Sequence, residues 1–262
     1  MKLDIYQVDA FTNKVFGGNP AAVVPLDAWL ADDLMQSIAL ENNLSETAFF
    51  VREGDHYELR WFTPTYEIDL CGHATLATAF VIFTILGSED QVLRFETKSG
   101  LLTVERKGEK FVLDFPSRPA TACEIPAGLI EAIGKQPKEI LKSRDYLVIY
   151  ENEAEVLAIE PNFAELLKID AHAVIVTAKG ENADFVSRFF APEVGVFEDP
   201  VTGSAHCTLI PYWAEKLGKT EMFARQVSAR GGELFCGLRG DRVKIGGDAK
   251  LYLKGEIFVE GS

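Results

Sequence analysis

Residues 74–86 carry no charged side chain. The run is too short to cross a bilayer, which takes about 20 apolar residues. It therefore predicts a helix with no polar face, and such a helix has to be enclosed on all sides. Cys71-Gly72-His73 stands at its start. In the second half of the chain Thr202-Gly203-Ser204 stands in the same place, before a helical stretch ending near Leu217-Gly218. Each half thus has several strands, then an acidic residue, a Cys or Thr, a Gly, a polar residue and a helix. This weak internal repeat predicts two similar subdomains, each burying one helix inside a strand framework.

Alternation of apolar and polar residues predicts the strands. In the first half they fall at 3–11, 21–26, 46–52, 57–62, 92–97, 101–106 and 110–115. In the second they fall at 146–150, 155–159, 174–177, 185–190, 226–230, 233–236, 242–245 and 249–259. Helices are expected at 32–42 and 129–133. Pro116-Ser117-Arg118-Pro119 ends a sheet and stiffens a connection, because proline offers no ladder N–H. The expected domains are 1–117 and 118–262, with the last strand free to return to the first half.

The chain has 26 basic and 40 acidic residues, a formal charge of −14. That balance argues against nucleic acid or an anionic membrane surface as the partner. Any anionic substrate then needs local donors. Cys71, Cys123, Cys207 and Cys236 are widely spaced, with no C-x-x-C pair, and read as reduced thiols. The N-terminal residues lack the pattern of a secretory leader, so the expected location is the cytoplasm.

Several residues could carry chemistry. A glycine at the start of a buried helix leaves free N–H groups aimed at one point, a local anion site. Gly72 and Gly203 could equally serve only to pack a loop against a helix. Glu46 lies where Asn43-Leu44-Ser45-Glu46 enters an apolar strand, and desolvation there would raise its pKa into the range useful for proton transfer. A solvent-facing glutamate at a strand end is the plainer alternative. His73, beside the positive end of a helix, is expected neutral, as an active-site donor or a purely structural residue. Asp199, before Pro200, is expected to cap the next helix. Cys71 is either a thiol with a lowered pKa or a small buried hydrophobe. Its counterpart Thr202 is too weak an acid to mirror it. His206 and Cys207 are adjacent, which is poor geometry for one zinc, so no metal site is expected. There is no dinucleotide fingerprint.

Six segments spread over almost the whole chain together resemble the phenazine-biosynthesis PhzF family, within the diaminopimelate-epimerase-like fold. They are Gln7-Val8-Asp9-Ala10-Phe11-Thr12, Gly18-Asn19-Pro20-Ala21-Ala22-Val23, Leu44-Ser45-Glu46-Thr47-Ala48-Phe49, Cys71-Gly72-His73-Ala74-Thr75, Glu198-Asp199-Pro200-Val201-Thr202-Gly203-Ser204-Ala205-His206 and Ser228-Ala229-Arg230-Gly231-Gly232-Glu233-Leu234. The resemblance implies an α+β fold of two pseudo-symmetric halves, each a β-barrel around a central helix, with the site in the cleft between them. It also implies a cofactor-independent isomerase, usually a homodimer. Carried over, Glu46 is the proton-shuttling acid/base, with His73 and Asp199 as polar partners. Asn19, Ser45, Cys71, Gly72, Thr202, Gly203 and Ser204 are expected around the substrate, a small carboxylate-bearing metabolite. Related epimerases use two cysteines, whereas this chain has Cys71 and Thr202. The alternatives are a two-base racemase or epimerase using Cys71 with Glu46, and a non-catalytic small-acid binding protein on the same fold.

Overall fold

The computed structural model describes residues 1–260. The chain forms two compact units, one of residues 1–114 with 246 onward, the other of residues 115–245. The division falls slightly before the expected cut after Ser117. It also moves the tail, because β18 (Ala249–Phe258) runs antiparallel to β1 (Lys2–Ala10), from Phe258 opposite Lys2 to Ala249 opposite Ala10.

The first unit continues with β2 (Asn19–Leu26), α1 (Asp32–Asn42), β3 (Glu46–Glu53), β4 (His56–Phe62) and β5 (Glu67–Ile68). Next come α2 (Gly72–Phe80), β6 (Val92–Thr97), β7 (Gly100–Lys107) and β8 (Lys110–Pro116). β1 and β2 are antiparallel, β2 and β3 parallel, β3 and β4 antiparallel, β4 and β6 parallel, β6 and β7 antiparallel. Helix α2 is buried from Gly72 to Ala79, as its lack of charge requires, and one π-helical stretch, Val81–Ile85, extends it. Its threonines bond backward along the helix, Thr75 to the Cys71 carbonyl and Thr78 to the Ala74 carbonyl, so no hydroxyl is stranded in the core. Helix α1 covers the other face of the sheet. Its Met35, Ile38 and Ala39 pack with Ile5, Ala22, Val24 and Phe49.

The second unit holds β9 (Thr121–Ala122), α3 (Leu129–Ile133), β10 (Glu139–Lys142), β11 (Tyr146–Ile149), α4 (Glu153–Leu157), α5 (Phe163–Leu166) and β12 (Val174–Lys179). It continues through β13 (Phe185–Ala191), β14 (Val196–Asp199), α6 (Gly203–Leu217), β15 (Glu221–Gln226), β16 (Gly232–Arg239) and β17 (Arg242–Gly247). Its strand series β10, β11, β12, β13, β15, β16 alternates antiparallel, parallel, antiparallel, parallel, antiparallel. That is the pairing series of the first unit. In both, helical segments make the first parallel crossover, and a short strand followed by the buried helix makes the second. The repeat visible only at two glycine turns in the sequence is therefore a repeat of topology.

Two sequence expectations fail. Residues 155–159 are not a strand but mostly α4, because the Asn152 side chain accepts the Glu155 N–H and caps a helix. The strand expected at 226–230 instead ends at Gln226, where the chain turns into the Ser228–Gly231 loop. No helix among the described residues is long and apolar enough to cross a membrane.

Proline inside α6 is compensated from outside the helix. Pro211 has no N–H to give Cys207, and the Arg118 backbone N–H meets the Cys207 carbonyl at 2.8 Å instead.

Candidate active site

Two polar clusters sit at the two helix starts, each within its own unit. In the first unit, Glu46 opens β3 opposite Ala21 of β2, and Asn19 opens β2 itself. The chain reaches Asn19 through a constrained turn. Phe11 and Phe16 have φ of 61° and 68°, and Gly18 has φ +62° with the Ala10 carbonyl oxygen only 2.1 Å from where a Cβ would stand. Only glycine fits there.

His73, in the first turn of α2, sits between these residues. Its Nε2 lies 2.9 Å from Oε2 of Glu46, with side-chain exposures of 6% and 13%. The two atoms are at ion-pair distance yet out of line for a hydrogen bond, an arrangement that substrate binding commonly tightens. On the other side of the ring, Nδ1 lies 3.1 Å from Nδ2 of Asn19 and 3.5 Å from Sγ of Cys71. The Ser45 hydroxyl approaches Oδ1 of Asn19 at 3.5 Å.

Charge on His73 is decided by magnitude. Burial opposes the imidazolium, but Cys71 and Glu46 together lift its pKa well above the ordinary imidazole range. Burial and the Glu46 charge push the Cys71 thiol up to about 11, so sulfur is neutral near pH 7 and the carboxylate is the partner that matters. A helix terminus contributes about 0.3–1 kcal/mol. A carboxylate in contact contributes about 4 kcal/mol at an effective dielectric near 20. His73 is thus charged, correcting the neutral form expected from the helix terminus alone. Cys71 has a raised pKa where the helix start suggested a lowered one, because burial dominates. Asn19 suits a charged ring, since turning its amide by 180° presents Oδ1 to Nδ1–H.

Glu46, Cys71 and His73 offer ligand atoms within 4.8 Å of one another. The carboxylate approaches Nε2 at 2.9 Å and the sulfur approaches Nδ1 at 3.5 Å.

In the second unit, Thr202 is the residue before α6, and its hydroxyl donates to Oδ2 of Asp199 at 2.5 Å. Asp199 therefore braces the turn through Thr202 and does not itself cap the helix N–H groups. Gln226 at the end of β15 completes the brace. It accepts the Thr202 N–H at 2.9 Å and donates to the Asp199 carbonyl at 2.8 Å and to the Thr202 hydroxyl at 3.2 Å. Ser228 donates to the Pro200 carbonyl at 2.8 Å. Gly203 is buried and Ser204 partly so, in the first turn of α6. Sequence reasoning missed Gln226. Its signal was a lone amide closing an apolar alternation just before Ser228-Ala229-Arg230-Gly231-Gly232.

The structure thus gathers Asn19, Ser45, Glu46, Cys71, Gly72 and His73 at one helix start, and Asp199, Thr202, Gly203 and Ser204 at the other. The first can move a proton. The second is a rigid donor turn.

Comparison with known proteins follows the same lines. A family model described as phenazine biosynthesis-like protein (PhzC-PhzF) matches residues 8–255. An uncharacterized isomerase of Pseudomonas aeruginosa is 55% identical over 260 residues, covering 99% of this chain and 100% of that protein. A crystal structure of a phenazine biosynthesis protein of the PhzF family from Enterococcus faecalis superposes with a TM-score of 0.97 at 50% identity, covering 99% of this chain and 100% of the other. A probable proline racemase from Agrobacterium radiobacter shares the fold at 12% identity, with a TM-score of 0.66 over 98% of this chain and 93% of the other.

Proposed function

The chain belongs to the phenazine biosynthesis-like family, and from that premise we propose that it is a cofactor-independent isomerase moving a proton through Glu46. Its coarse class, an isomerase on an epimerase-like α+β fold, agrees with the isomerase names of its relatives. The observation that carries the finer reading is the Glu46–His73 contact of 2.9 Å at the start of a buried helix.

In this reading the substrate is a small carboxylate whose acidic C–H lies next to an activating group. The Glu46 carboxylate takes that proton, so the C–H bond breaks and an O–H bond forms on Glu46. The electron pair enters the conjugated system of the substrate. Fixed N–H groups at the start of α2 and the His73 imidazolium stabilise the developing negative charge. Glu46 then gives the proton to another carbon of the same system and returns to carboxylate. Substrate and product differ only in the place of one proton and one double bond. The Thr202-Gly203-Ser204 turn, held by Asp199 and Gln226, is assigned to binding.

The test is Glu46→Gln, screened against unsaturated carboxylic acids by mass spectrometry in deuterated buffer. Wild type is expected to return product that keeps the substrate hydrogen. Removing a positioned acid/base should lower turnover by about 10²–10⁴-fold while the melting temperature holds. Near-normal turnover in a folded Glu46→Gln sample would remove this residue from the reaction. Solvent deuterium in the inverted product would favour the two-base route through Cys71.

A further inference from the structure

Adjacent His206 and Cys207 make a poor zinc pair, but the first unit brings three suitable donors together from two separate segments. Cys71 and His73 stand at the start of α2, and Glu46 opens β3. One ligand atom from each lies within 4.8 Å of the other two. Sγ of Cys71 and Nδ1 of His73 are 3.5 Å apart, which matches two ligands of one tetrahedral zinc, about 3.5 Å from the usual bond lengths. Oε2 of Glu46 lies 2.9 Å from Nε2 of the same ring. An ion on one ring nitrogen therefore needs only a swing of the carboxylate or the thiol to gain its third protein ligand. The nitrogen left over keeps a polar neighbour, Asn19 at Nδ1 or Glu46 at Nε2, as a metal-bound imidazole usually does.

A second observation also points to a ligand. Oε2 of Glu46 and Nε2 of His73 are buried and make no hydrogen bond, and the His73 side chain is only 6% exposed. Buried polar atoms ordinarily have a partner, and these two are of metal-ligating types. Charge balance favours exchange over simple addition. The imidazolium, the carboxylate and the neutral thiol together carry no net charge. A zinc ion with a carboxylate, a thiolate and a neutral imidazole carries none either, and two protons leave, one from sulfur and one from the ring. The buried cluster thus takes a dication without gaining charge. A sulfur, a nitrogen and an oxygen donor suit zinc-class ions, whereas magnesium and calcium take oxygen ligands.

We propose that Glu46, Cys71 and His73 form an inhibitory site for one zinc-class divalent cation, with a fourth position left to water. The ion is not a cofactor of the isomerase reaction. That it inhibits rests on the reading of Glu46 as the proton shuttle, because a carboxylate bound to metal has no free lone pair for the substrate; the binding site itself does not rest on it.

Cobalt(II) titration of the metal-free full chain, followed by absorption, tests the site without any turnover. Wild type should bind one equivalent with a thiolate-to-cobalt charge-transfer band and tetrahedral visible bands, and zinc but not magnesium should bleach them. Cys71→Ser should abolish the charge-transfer band, while Cys123→Ser keeps it. His73→Gln and Glu46→Gln, which leave the thiol in place, should each weaken binding by about tenfold or more. No thiolate band in wild type, a band that survives Cys71→Ser, or wild-type affinity in both His73→Gln and Glu46→Gln would each overturn the site. Saturating zinc should lower wild-type turnover to the level of Glu46→Gln, and a chelator should restore it; full turnover with the cobalt bands bleached by zinc would overturn the inhibition. The spectra decide the site whatever Glu46→Gln does to turnover, so the two readings fail separately.

Discussion

At the start of α2 the Cys71 carbonyl accepts a hydroxyl, that of Thr75. At the start of α6 the matching Thr202 carbonyl accepts a ring N–H, that of His206, at 2.9 Å. The frames are alike: an extended residue, a glycine, and a side chain four residues on that bonds back. What differs is where the imidazole stands. His73 stands in the first turn of its helix against a carboxylate and is charged. His206 lies inside the core, and burial pushes its pKa down to about 4. A duplicated scaffold has placed a charged histidine in one half and a neutral one in the other. In the proposed reaction the first serves proton transfer. The second holds a turn rigid, and a rigid turn suits a binding role.

The sharpest way to break this comparison is kinetic. Glu46→Gln should act on turnover, by the factor given above. Thr202→Val, which removes the hydroxyl held by Asp199, should act mainly on KM. Equal losses of kcat from both variants would mean that both halves do chemistry.

Acid should separate the two histidines next. For His206 the unfolded chain takes up its proton near pH 6.5 and the folded chain only near pH 4. Its contribution is therefore present above pH 6.5 and lost as pH falls toward 4, about 3 kcal/mol in all. His73 has the opposite sign. Its raised pKa stabilises the fold fully below pH 6.5, and that contribution is lost as pH climbs through the folded value. Urea unfolding against pH, repeated on His206→Gln, should show the acid slope flatten. Ring carbon shifts by NMR should show His73 charged at pH 7 and His206 neutral. A neutral His73 at pH 7 would erase the distinction.

Smaller effects test the brace. Gln226→Ala strands the Thr202 N–H and the Asp199 carbonyl, and should cost about 1–3 kcal/mol in urea unfolding. Least of all, Cys71→Ala should leave turnover near wild type, since the neutral thiol has no step in the single-carboxylate route. A loss as large as that of Glu46→Gln would move the chemistry to two bases.

How much of this was legible follows from the range of each interaction. The enclosure of α2 could be read from one uncharged run, and both helix starts from a glycine with its neighbours, because those signals are local. The charge on His73 could not, since it depends on Glu46, brought alongside only by the pairing of β2 with β3. The helix at Glu153–Leu157 was readable and missed: Asn152 and Glu155 form a capping pattern that outranks the apolar alternation beside it. Gln226 gave little warning, for its partners Asp199 and Thr202 are remote in the chain.

The pairing of β18 with β1 has a consequence for synthesis. A ribosome makes β1 at the outset and β18 only after the whole second unit has emerged. Until then the first-made sheet keeps one bare margin, while the later-made unit has every strand of its own. The older segment must wait for the younger one to finish it, so the nascent protein is most open to mispairing along β1.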